Sequence, residues 1–323
     1  MGLKIAFLGT GGIAQTHVSR LAKIEGVQVA GFCGTSLEKA ERAANSCNGA
    51  KGFADFAQML EEVKPDAVYI TTPPMAHGEA ELALIERGIP FLVEKPLGVE
   101  NALVQQLAAK IADKRLITSV GYHWRYYEAL ATARELLAGS KPGMALGYWM
   151  GGMPMVPWWR KQEQSGGQFA EQTTHVVDML RYLCGEVTEA YAAFAQRAMH
   201  EKVEDVSVAD VGTVTLKLAN GMVATISNTC LLPVGHTVGL DLYTDRGVME
   251  IRSTGLKAIE TERTTEYKNK KDPFLLENEA FIHAVRTGDT SGILSDYADS
   301  AKTHAVTMAA NESAETGAIV RLN

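Results

Sequence analysis

A short strand, a glycine-rich turn and a helix open the chain, and this order restricts the fold more than any other feature. Leu3–Leu8 is an apolar run of strand length, and the turn Gly-Thr-Gly-Gly-Ile-Ala follows at residues 9–14. Apolar residues then recur at helical spacing up to Ile24. Glycines in such a turn let the backbone approach a pyrophosphate, whose charge the N–H groups of the helix can meet. We therefore expect a dinucleotide to contact Gly9, Thr10, Gly11, Gly12 and Ile13. The alternative is a glycine turn that binds nothing.

The alternation of strands and helices continues to Gly121. Apolar runs of strand length occur at 27–33, 67–71, 89–94 and 116–121, separated by segments with helical periodicity. Strands that alternate with helices of this length are typical of a parallel, doubly wound sheet. The sequence therefore predicts an α/β fold, with a dinucleotide-binding Rossmann domain over residues 1–121.

The end of the second predicted strand bears on the choice of cofactor. In NAD-binding proteins an acidic residue there accepts hydrogen bonds from the ribose hydroxyls. Here the position is Gly34, with Thr35 and Ser36 after it and Lys39 and Arg42 nearby. Small hydroxyls and nearby cations suit a 2′-phosphate, so we expect NADP(H) to be favoured over NAD(H), with Thr35 and Ser36 as contacts. In the alternative, the two cations only cover a solvated helix face.

Two further predicted strands end in residues that can serve a ligand. Lys95 precedes Pro96, which lacks an N–H group and keeps the lysine extended. Ligands of open parallel sheets bind at the carboxyl ends of strands, which makes Lys95 a candidate for chemistry. Thr72, Pro73 and His77 follow another strand and are candidate cofactor contacts. The alternatives are a solvated lysine, a rigid proline turn and an ordinary histidine at a helix start.

The pattern changes after Gly121. Strand-like segments occur at 145–150, 188–196, 207–218, 222–231, 237–244, 248–252 and 258–261, and Asn-Gly at 220–221 is a strong hairpin signal. Consecutive hairpins indicate a largely antiparallel sheet. Helices are predicted near 125–138, 169–184, 273–287 and 296–316. We therefore predict a second, α+β domain over 122–323 for substrate binding and oligomerisation, with a large, open-faced sheet that can take a subunit partner.

One predicted helix of this second domain, over 169–184, carries polar residues on one side. They are Glu171, His175, Asp178 and Tyr182. A histidine and a carboxylate one turn apart can hydrogen-bond, and an imidazole fixed in this way can accept a proton. Trp159 and Arg160 precede the helix and offer a flat apolar surface and planar donors to a polyhydroxylated ligand. The alternatives are a solvated helix face and an interface patch.

Composition restricts the class of partner. Lys and Arg number 31 against 38 Asp and Glu, and this net charge of −7 argues against nucleic acid as the partner. The four cysteines are widely spaced without a Cys-x-x-Cys pair, so we expect neither a metal site nor a disulfide framework, and reduced thiols fit a cytoplasmic protein. Apolar runs fall short of the roughly 20 residues that span a bilayer, so no membrane association is expected.

Several motifs in order resemble the Gfo/Idh/MocA family, named after glucose–fructose oxidoreductase and inositol dehydrogenase. They are the glycine turn at 9–14, Thr-Pro-Pro at 72–74, Glu-Lys-Pro at 94–96, Gly-Tyr-His-Trp-Arg-Tyr at 121–126 and the Gly-Gly…His-x-x-Asp segment at 166–178. The resemblance covers nearly the whole chain. It implies hydride transfer between a nicotinamide and a secondary alcohol or ketone of a sugar, polyol or cyclitol, by homodimers or homotetramers paired through the second domain.

The resemblance also implies roles for single residues. Lys95 would contact both substrate and cofactor, Glu94 would contribute to the cofactor site, and His175 would exchange a proton with the substrate hydroxyl. The substrate contacts it implies are Lys95, Arg125, Trp159, Arg160, Glu171 and His175. The family often has aspartate where Glu171 stands. Two other classes stay open: a non-catalytic dinucleotide-binding regulator, and an NAD-dependent glycosidase in which hydride leaves and returns in one cycle.

Overall fold

A computed structural model of the chain describes residues 2–322, so Met1 and Asn323, the ends of the predicted domains, lie outside the described residues. Two compact units make up the described part. The first contains the residues up to Gly98 together with Ala102–His123 and Asp272–Ala301; the second contains Val99–Asn101, Trp124–Lys271 and the residues from Lys302 onward. The predicted boundary after residue 121 differs from this division, because it assigns 272–301 to the second domain.

The elements alternate along the chain much as the pattern predicts. The strands are β1 (Leu3–Leu8), β2 (Val27–Cys33), β3 (Lys51–Phe53), β4 (Ala67–Ile70), β5 (Phe91–Val93), β6 (Thr118–Val120), β7 (Pro142–Met150), β8 (Val187–Ala195), β9 (Val211–Leu218), β10 (Val223–Thr229), β11 (Val238–Thr244), β12 (Gly247–Arg252), β13 (Gly255–Ile259), β14 (Thr264–Lys268) and β15 (Val320–Arg321). The helices are α1 (Gly12–Leu21), α2 (Leu37–Ala44), α3 (Phe56–Val63), α4 (Glu79–Arg87), α5 (Asn101–Lys114), α6 (Glu128–Leu137), α7 (Gln162–Ser165), α8 (Gly167–Glu171), α9 (Thr174–Cys184), α10 (Met199–Lys202), α11 (Pro273–Thr287) and α12 (Tyr297–Thr316). Strands β3, β14 and β15 were not predicted, because β3 and β15 are very short and β14 lacks an apolar alternation.

The first unit is built on a six-stranded parallel sheet with the order β3-β2-β1-β4-β5-β6. Ile5 and Phe7 pack into one apolar cluster and Ala6, between them, packs into another. Both faces of the sheet are therefore covered, as a parallel sheet requires. The predicted doubly wound sheet is confirmed. Its strand order reverses between β1 and β4, and ligands of such sheets bind beyond the carboxyl ends at that point.

Helix α11 belongs to this first unit although it follows the strands of the second in sequence. Phe281 and Ile282 are buried in the same cluster as Phe7 and Tyr69, and the rings of Tyr69 and Phe281 meet edge to face at 5.6 Å. Asp272 begins the helix by accepting the N–H groups of the first turn. The apolar periodicity of α11 predicts the helix itself, but periodicity carries no information on which sheet the helix covers.

The second unit is built on a nine-stranded sheet with the order β14-β13-β12-β11-β7-β10-β9-β8-β15. Neighbouring strands are antiparallel except β7 and β10, which are parallel. Along β9, buried residues such as Val214 and Leu216 alternate with exposed ones such as Thr215 and Lys217. Val214 and Leu216 share a cluster with Val176 of α9. The mostly antiparallel, open-faced sheet is therefore confirmed.

The helix predicted over 169–184 is two helices, α8 and α9. The N–H groups of Gln172 and Thr173 both donate to the carbonyl of Gln168 at 3.0 Å, so the helical hydrogen-bond ladder does not continue. Glu171 ends α8 and His175 lies in the first turn of α9. The single polar helix face is therefore wrong as a prediction.

Between residues 2 and 322, no helix combines the length and the apolar character needed to cross a membrane.

Candidate functional site

The glycine turn after β1 is tight at one end and open at the other. Gly9 has φ +109°, and a Cβ atom there would lie 2.5 Å from Thr71 Oγ1. Gly11 precedes α1 in an extended conformation, and no side chain caps the helix there. A Cβ at Gly11 or Gly12 would meet nothing within 4 Å. The turn therefore presents open space and the first N–H groups of α1, and this arrangement fits the pyrophosphate of a dinucleotide.

The end of β2 lies beside a pocket with cationic walls. The pocket has a volume of about 410 Å³, and its lining residues are Thr10, Gln15, Lys39, Arg42, Ala43 and Ser46. Lys39 Nζ donates to Thr35 Oγ1 at 3.1 Å, and Ser36 Oγ caps α2 by accepting the Lys39 N–H. Arg42 is paired with Glu38 at 2.6 Å. Lys39 is thus the cation whose charge is not already balanced by a neighbour on the same helix face.

Residue 34 offers little space for the carboxylate typical of NAD-binding proteins. A Cβ atom at Gly34 would lie 3.1 Å from Thr10 Cγ2 and 3.4 Å from the Ala40 backbone nitrogen. Contacts of 3.1 Å are tighter than most Cβ contacts, so a larger residue would need the turn to shift. An acidic side chain at position 34 would therefore crowd Thr10 of the glycine turn.

His77 connects the turn after β4 to α4. Its ring is buried, with Nε2 3.0 Å from the Thr72 carbonyl oxygen and Nδ1 3.4 Å from Glu81 Oε1. Glu81 also accepts the Gly78 N–H at 2.6 Å. Nε2 of His77 is thus hydrogen-bonded to the Thr72–Pro73 turn, and Nδ1 lies near Glu81 without a hydrogen bond. The ring therefore holds this turn, and its contact with the cofactor stays a prediction.

Glu94 is a buried carboxylate next to Lys95. Its Oε1 lies 3.0 Å from His17 Nε2, and its Oε2 accepts the Lys95 N–H at 3.2 Å. Burial acts to raise the pKa of Glu94, but the His17 hydrogen bond and the charges of His17, Lys95 and His123 hold it below its usual value. A Cβ atom at Gly121 would lie 2.6 Å from Glu94 Oε2, so only glycine fits there. Glu94 is therefore an internal anion, and its predicted direct cofactor contact is not supported by this geometry.

The predicted residues of the first unit thus gather at one edge of its sheet. Gly9 follows β1, Thr35 follows β2, Thr72 follows β4 and Lys95 follows β5, and these strands are neighbours in the order given above. His17 was missed by sequence reasoning. Its position between the buried Ala14 and Leu21 of α1 was the available signal, but an apolar helix side does not reveal that a histidine faces a carboxylate.

His175 lies against two tryptophans in the second unit. It is 5% exposed, and its ring is 4.9 Å from that of Trp124 and 6.1 Å from that of Trp149, with interplanar angles of 20° and 18°. The two indoles are nearly parallel at 5.5 Å. Neither tryptophan was predicted as a site residue, because they lie far apart in sequence and no local pattern connects them.

Arg125 and Asp178 form a buried ion pair in the second unit. The guanidinium donates through Nε at 2.8 Å and Nη2 at 2.6 Å to the two carboxylate oxygens. Thr303 Oγ1 donates to the same carboxylate at 2.8 Å, and the guanidinium lies over the Tyr182 ring. Arg125 is 4% exposed and Asp178 1% exposed. Arg125 thus forms an internal, two-point ion pair, and its contact with substrate stays a prediction.

Trp159 and Glu171 also bind each other. The indole Nε1 donates to Glu171 Oε2 at 2.6 Å, and Trp159 is 1% exposed in a cluster with Met153 and Val208. Arg160 Nη1 donates to the Glu204 carbonyl. The expected stacking surface of Trp159 is therefore buried in the protein, and one oxygen of Glu171 is already occupied.

Metal ligation has no support among residues 2–322, where no three His, Cys, Asp or Glu side chains are grouped as a metal ion needs.

Comparison with known proteins agrees with this arrangement. Residues 3–122 match the family model of the oxidoreductase family with an NAD-binding Rossmann fold, and residues 143–250 match the model of the GFO/IDH/MocA C-terminal domain. Inositol 2-dehydrogenase 4 of Saccharopolyspora erythraea is 26% identical over 257 residues, which are 77% of this chain and 73% of that protein.

Two solved structures share the fold. An oxidoreductase from Agrobacterium radiobacter, in complex with NAD⁺, L-tartaric acid and magnesium, has a TM-score of 0.87 at 17% identity and covers 99% of this chain and 98% of its own. The WlbA dehydrogenase from Bordetella pertussis, in complex with NADH and UDP-GlcNAcA, has a TM-score of 0.86 at 20% identity and covers 100% and 98%. Together with the two family models, these findings show that the chain belongs to the Gfo/Idh/MocA family of oxidoreductases with an NAD-binding Rossmann fold.

Proposed function

We propose that the protein transfers hydride between a nicotinamide cofactor and a secondary alcohol or ketone of a sugar, polyol or cyclitol. The observation that carries the proposal is the gathering of the open glycine turn, Thr35, Thr72 and Lys95 at one edge of the parallel sheet. Similarity to inositol 2-dehydrogenases supports a cyclic polyol or sugar as the substrate class.

Lys95 and His175 have separate tasks in this proposal. The bound nicotinamide supplies or accepts the hydride. The role proposed for the Lys95 ammonium is to stabilise the negative charge that develops on the reacting oxygen. The His175 imidazole takes the hydroxyl proton during oxidation and returns it during reduction. Trp124 and Trp149 limit the rotation of the His175 ring, because both indoles lie nearly parallel to it.

A panel of sugars, polyols and cyclitols with NAD⁺ and NADP⁺ tests this function. Lys95→Ala and His175→Ala are expected to lower turnover by about 10²-fold or more, because each removes a group that acts in the transition state. Lys114→Ala and His200→Ala, at exposed positions, are the matched controls. Near-wild-type rates in the first pair would contradict the proposed roles.

The same panel separates the other two classes. Cofactor binding without turnover of any substrate would favour a dinucleotide-binding regulator. Release of free sugar from glycosides without net reduction of the cofactor would favour a glycosidase that uses the nicotinamide transiently.

For the cofactor we propose a preference for NADP(H). The pocket lined by Thr10, Lys39 and Arg42 supports it, since Lys39 and the Thr35 hydroxyl can bind a 2′-phosphate. Lys39→Ala is expected to weaken NADPH binding by about 10-fold and to leave NADH binding nearly unchanged, because only NADPH carries the phosphate. Lys110→Ala, exposed on α5, is the control. Tighter binding of NADH than NADPH by the wild-type protein would overturn the preference.

We also propose a cytoplasmic homodimer or homotetramer that pairs through the exposed face of the nine-stranded sheet. Cytoplasmic location is supported by the four thiols, none of which forms a disulfide. Pairing is supported by exposed β-sheet residues such as Tyr191 and Val223, which are 47% and 46% exposed. Light scattering of the wild type and of Tyr191→Glu tests the assembly, which the added charge is expected to weaken.

A further inference from the structure

A buried polar group lies behind Lys95 in the first unit. It contains His17 of α1, Glu94 after β5 and Asn278 of α11, which are 0%, 6% and 0% exposed. His17 contacts Glu94 Oε1 through Nε2 at 3.0 Å and the Asn278 amide through Nδ1. Three elements that are distant in sequence therefore meet around one imidazole.

The Asn278 amide fixes the orientation of the His17 ring. Asn278 Nδ2 donates to the Phe274 carbonyl at 2.6 Å, which orients the amide, and the same Nδ2 lies 3.0 Å from His17 Nδ1. Asn278 Oδ1 lies 3.2 Å from the same Nδ1, so the amide holds this side of the ring through either atom. A carboxylate oxygen can only accept, so Nε2, which faces Glu94 Oε1, carries a proton and donates to it. Asn278 therefore directs the donor of His17 at the carboxylate.

The surroundings keep this arrangement rigid. Phe274 stacks on His123 at 3.8 Å and meets the His17 ring edge to face at 5.8 Å. The Tyr69 ring is 5.2 Å from that of His17. Several titratable and charged groups face His17 or the residues packed against it. They are Arg20 on α1, Tyr69 on β4, Glu94 and Lys95 after β5, His123 after β6 and Glu277 on α11.

We infer that His17, oriented by Asn278, is a positioning residue for Lys95. His17 fixes Glu94 as a buried anion, one oxygen of which accepts the Lys95 N–H, and the same negative charge acts on the Lys95 ammonium. The backbone of Lys95 is thereby held from inside the unit. This inference rests on the proposed role of Lys95 in hydride transfer.

The test compares His17→Gln with His17→Asn. The glutamine amide can reach Glu94 and donate to it as Nε2 does, whereas asparagine is one methylene shorter. His17→Asn is expected to lower kcat by about 10-fold to 100-fold, because a small displacement of a catalytic group has effects of this size. His17→Gln is expected to stay within about 3-fold of the wild type, and KM for the cofactor is expected to change little in both.

The pH dependence of kcat distinguishes positioning from stability. Without the His17 donor the pKa of Glu94 rises, because burial disfavours the charged carboxylate and a hydrogen bond that stabilises this form is lost. The acidic limb of the kcat profile is therefore expected to move to higher pH in His17→Asn and not in His17→Gln. Loss of stability alone would lower the amount of folded enzyme without moving this limb.

Asn278→Leu is a second variant in case His17→Asn does not fold. It leaves the imidazole in place but removes its orienting partner, so a smaller fall in kcat and a smaller displacement of the limb in the same direction are expected. His283→Asn, exposed on the same helix, is the matched control.

Lys95→Met, measured in parallel, distinguishes failure of the proposed function from failure of the positioning role of His17. If Lys95→Met retains the wild-type rate, the proposed function fails. If Lys95→Met is inactive and both His17 variants equal the wild type in kcat and pH profile, the positioning role is wrong. Equal losses of kcat in His17→Gln and His17→Asn, in proportion to a loss of thermal stability, would also contradict the positioning role.

Discussion

The buried carboxylates of the two units have different kinds of partner. In the second unit, Asp178 is paired at two points with Arg125 and with the Thr303 hydroxyl, so these polar groups satisfy one another. In the first unit, Glu94 is held by a histidine and stands next to Lys95 in sequence. A buried carboxylate in a sequence motif can therefore be paired fully with its neighbours in one unit and lie next to a proposed catalytic lysine in the other.

The glycine-rich segments differ in the same way. The turn after β1 leaves open space at Gly11 and Gly12. In the second unit, a Cβ atom at Gly167 would lie 2.6 Å from Gln162 Oε1, and one at Gly166 3.0 Å from the Ala170 methyl group. The two glycines at the start of α1 thus leave open space, whereas the glycines at 166–167 allow close packing.

The largest effect is expected where the second-unit pair is broken. Asp178→Ala leaves the Arg125 guanidinium buried without its carboxylate, so the free energy of unfolding is expected to fall by about 3–5 kcal/mol. Urea unfolding followed by circular dichroism measures it. Glu38→Ala breaks an exposed ion pair and is the control, with little change expected. Equal losses in the two variants would contradict the contrast between buried and exposed pairs.

A pH-dependent loss of stability is expected from the first unit. Burial lowers the pKa of His123 to about 4. Between pH 4 and its ordinary value near 6.5, the unfolded chain binds more protons than the folded one, so stability is complete above this window and falls on acidification. The loss is about 2 kcal/mol at pH 5. Urea midpoints at pH 7.5 and 5 for the wild type and for His123→Gln check this, and an equal pH dependence in both would be inconsistent with it.

Substitutions at Gly9 and Gly11 of the same turn are expected to affect different quantities, the first stability and the second cofactor affinity. Gly9→Ala forces an L residue to φ +109° against Thr71, so a loss of about 1–3 kcal/mol in unfolding free energy is expected. Gly11→Ala has space for its methyl group, so stability should stay unchanged while cofactor affinity falls by about 10-fold. Thermal unfolding and fluorescence titration with the reduced cofactor measure the two quantities. Unchanged affinity in Gly11→Ala would exclude close approach of the pyrophosphate there.

The smallest effect is expected at Glu171. Glu171→Gln keeps an oxygen that accepts the Trp159 N–H, so a change of about 1 kcal/mol in unfolding free energy and less than about 3-fold in kcat is expected. A much larger loss of kcat at unchanged stability would indicate that Glu171 contacts the substrate. Glu163→Gln, on the short helix α7, is the control.

Part of the site could be predicted because its chemistry depends on local order. The glycine turn, Thr72 and Lys95 each follow an apolar strand, and the carboxyl ends of neighbouring parallel strands lie at one edge. The roles of Arg125 and Trp159 could not be predicted in this way. Their partners, Asp178 and Glu171, are 53 and 12 residues away, and whether a polar side chain faces a ligand or another side chain depends on packing.

The sequence alone determined the alternation of strands and helices, the glycine turn and the order of the motifs, because apolar periodicity and glycine conformation act within a few residues. Tertiary structure alone decided that α11 returns to the first unit, that the helix over 169–184 is broken, and that His17 meets Glu94. The physical reason is that these outcomes follow from the burial of apolar surface and the pairing of buried polar groups between distant segments.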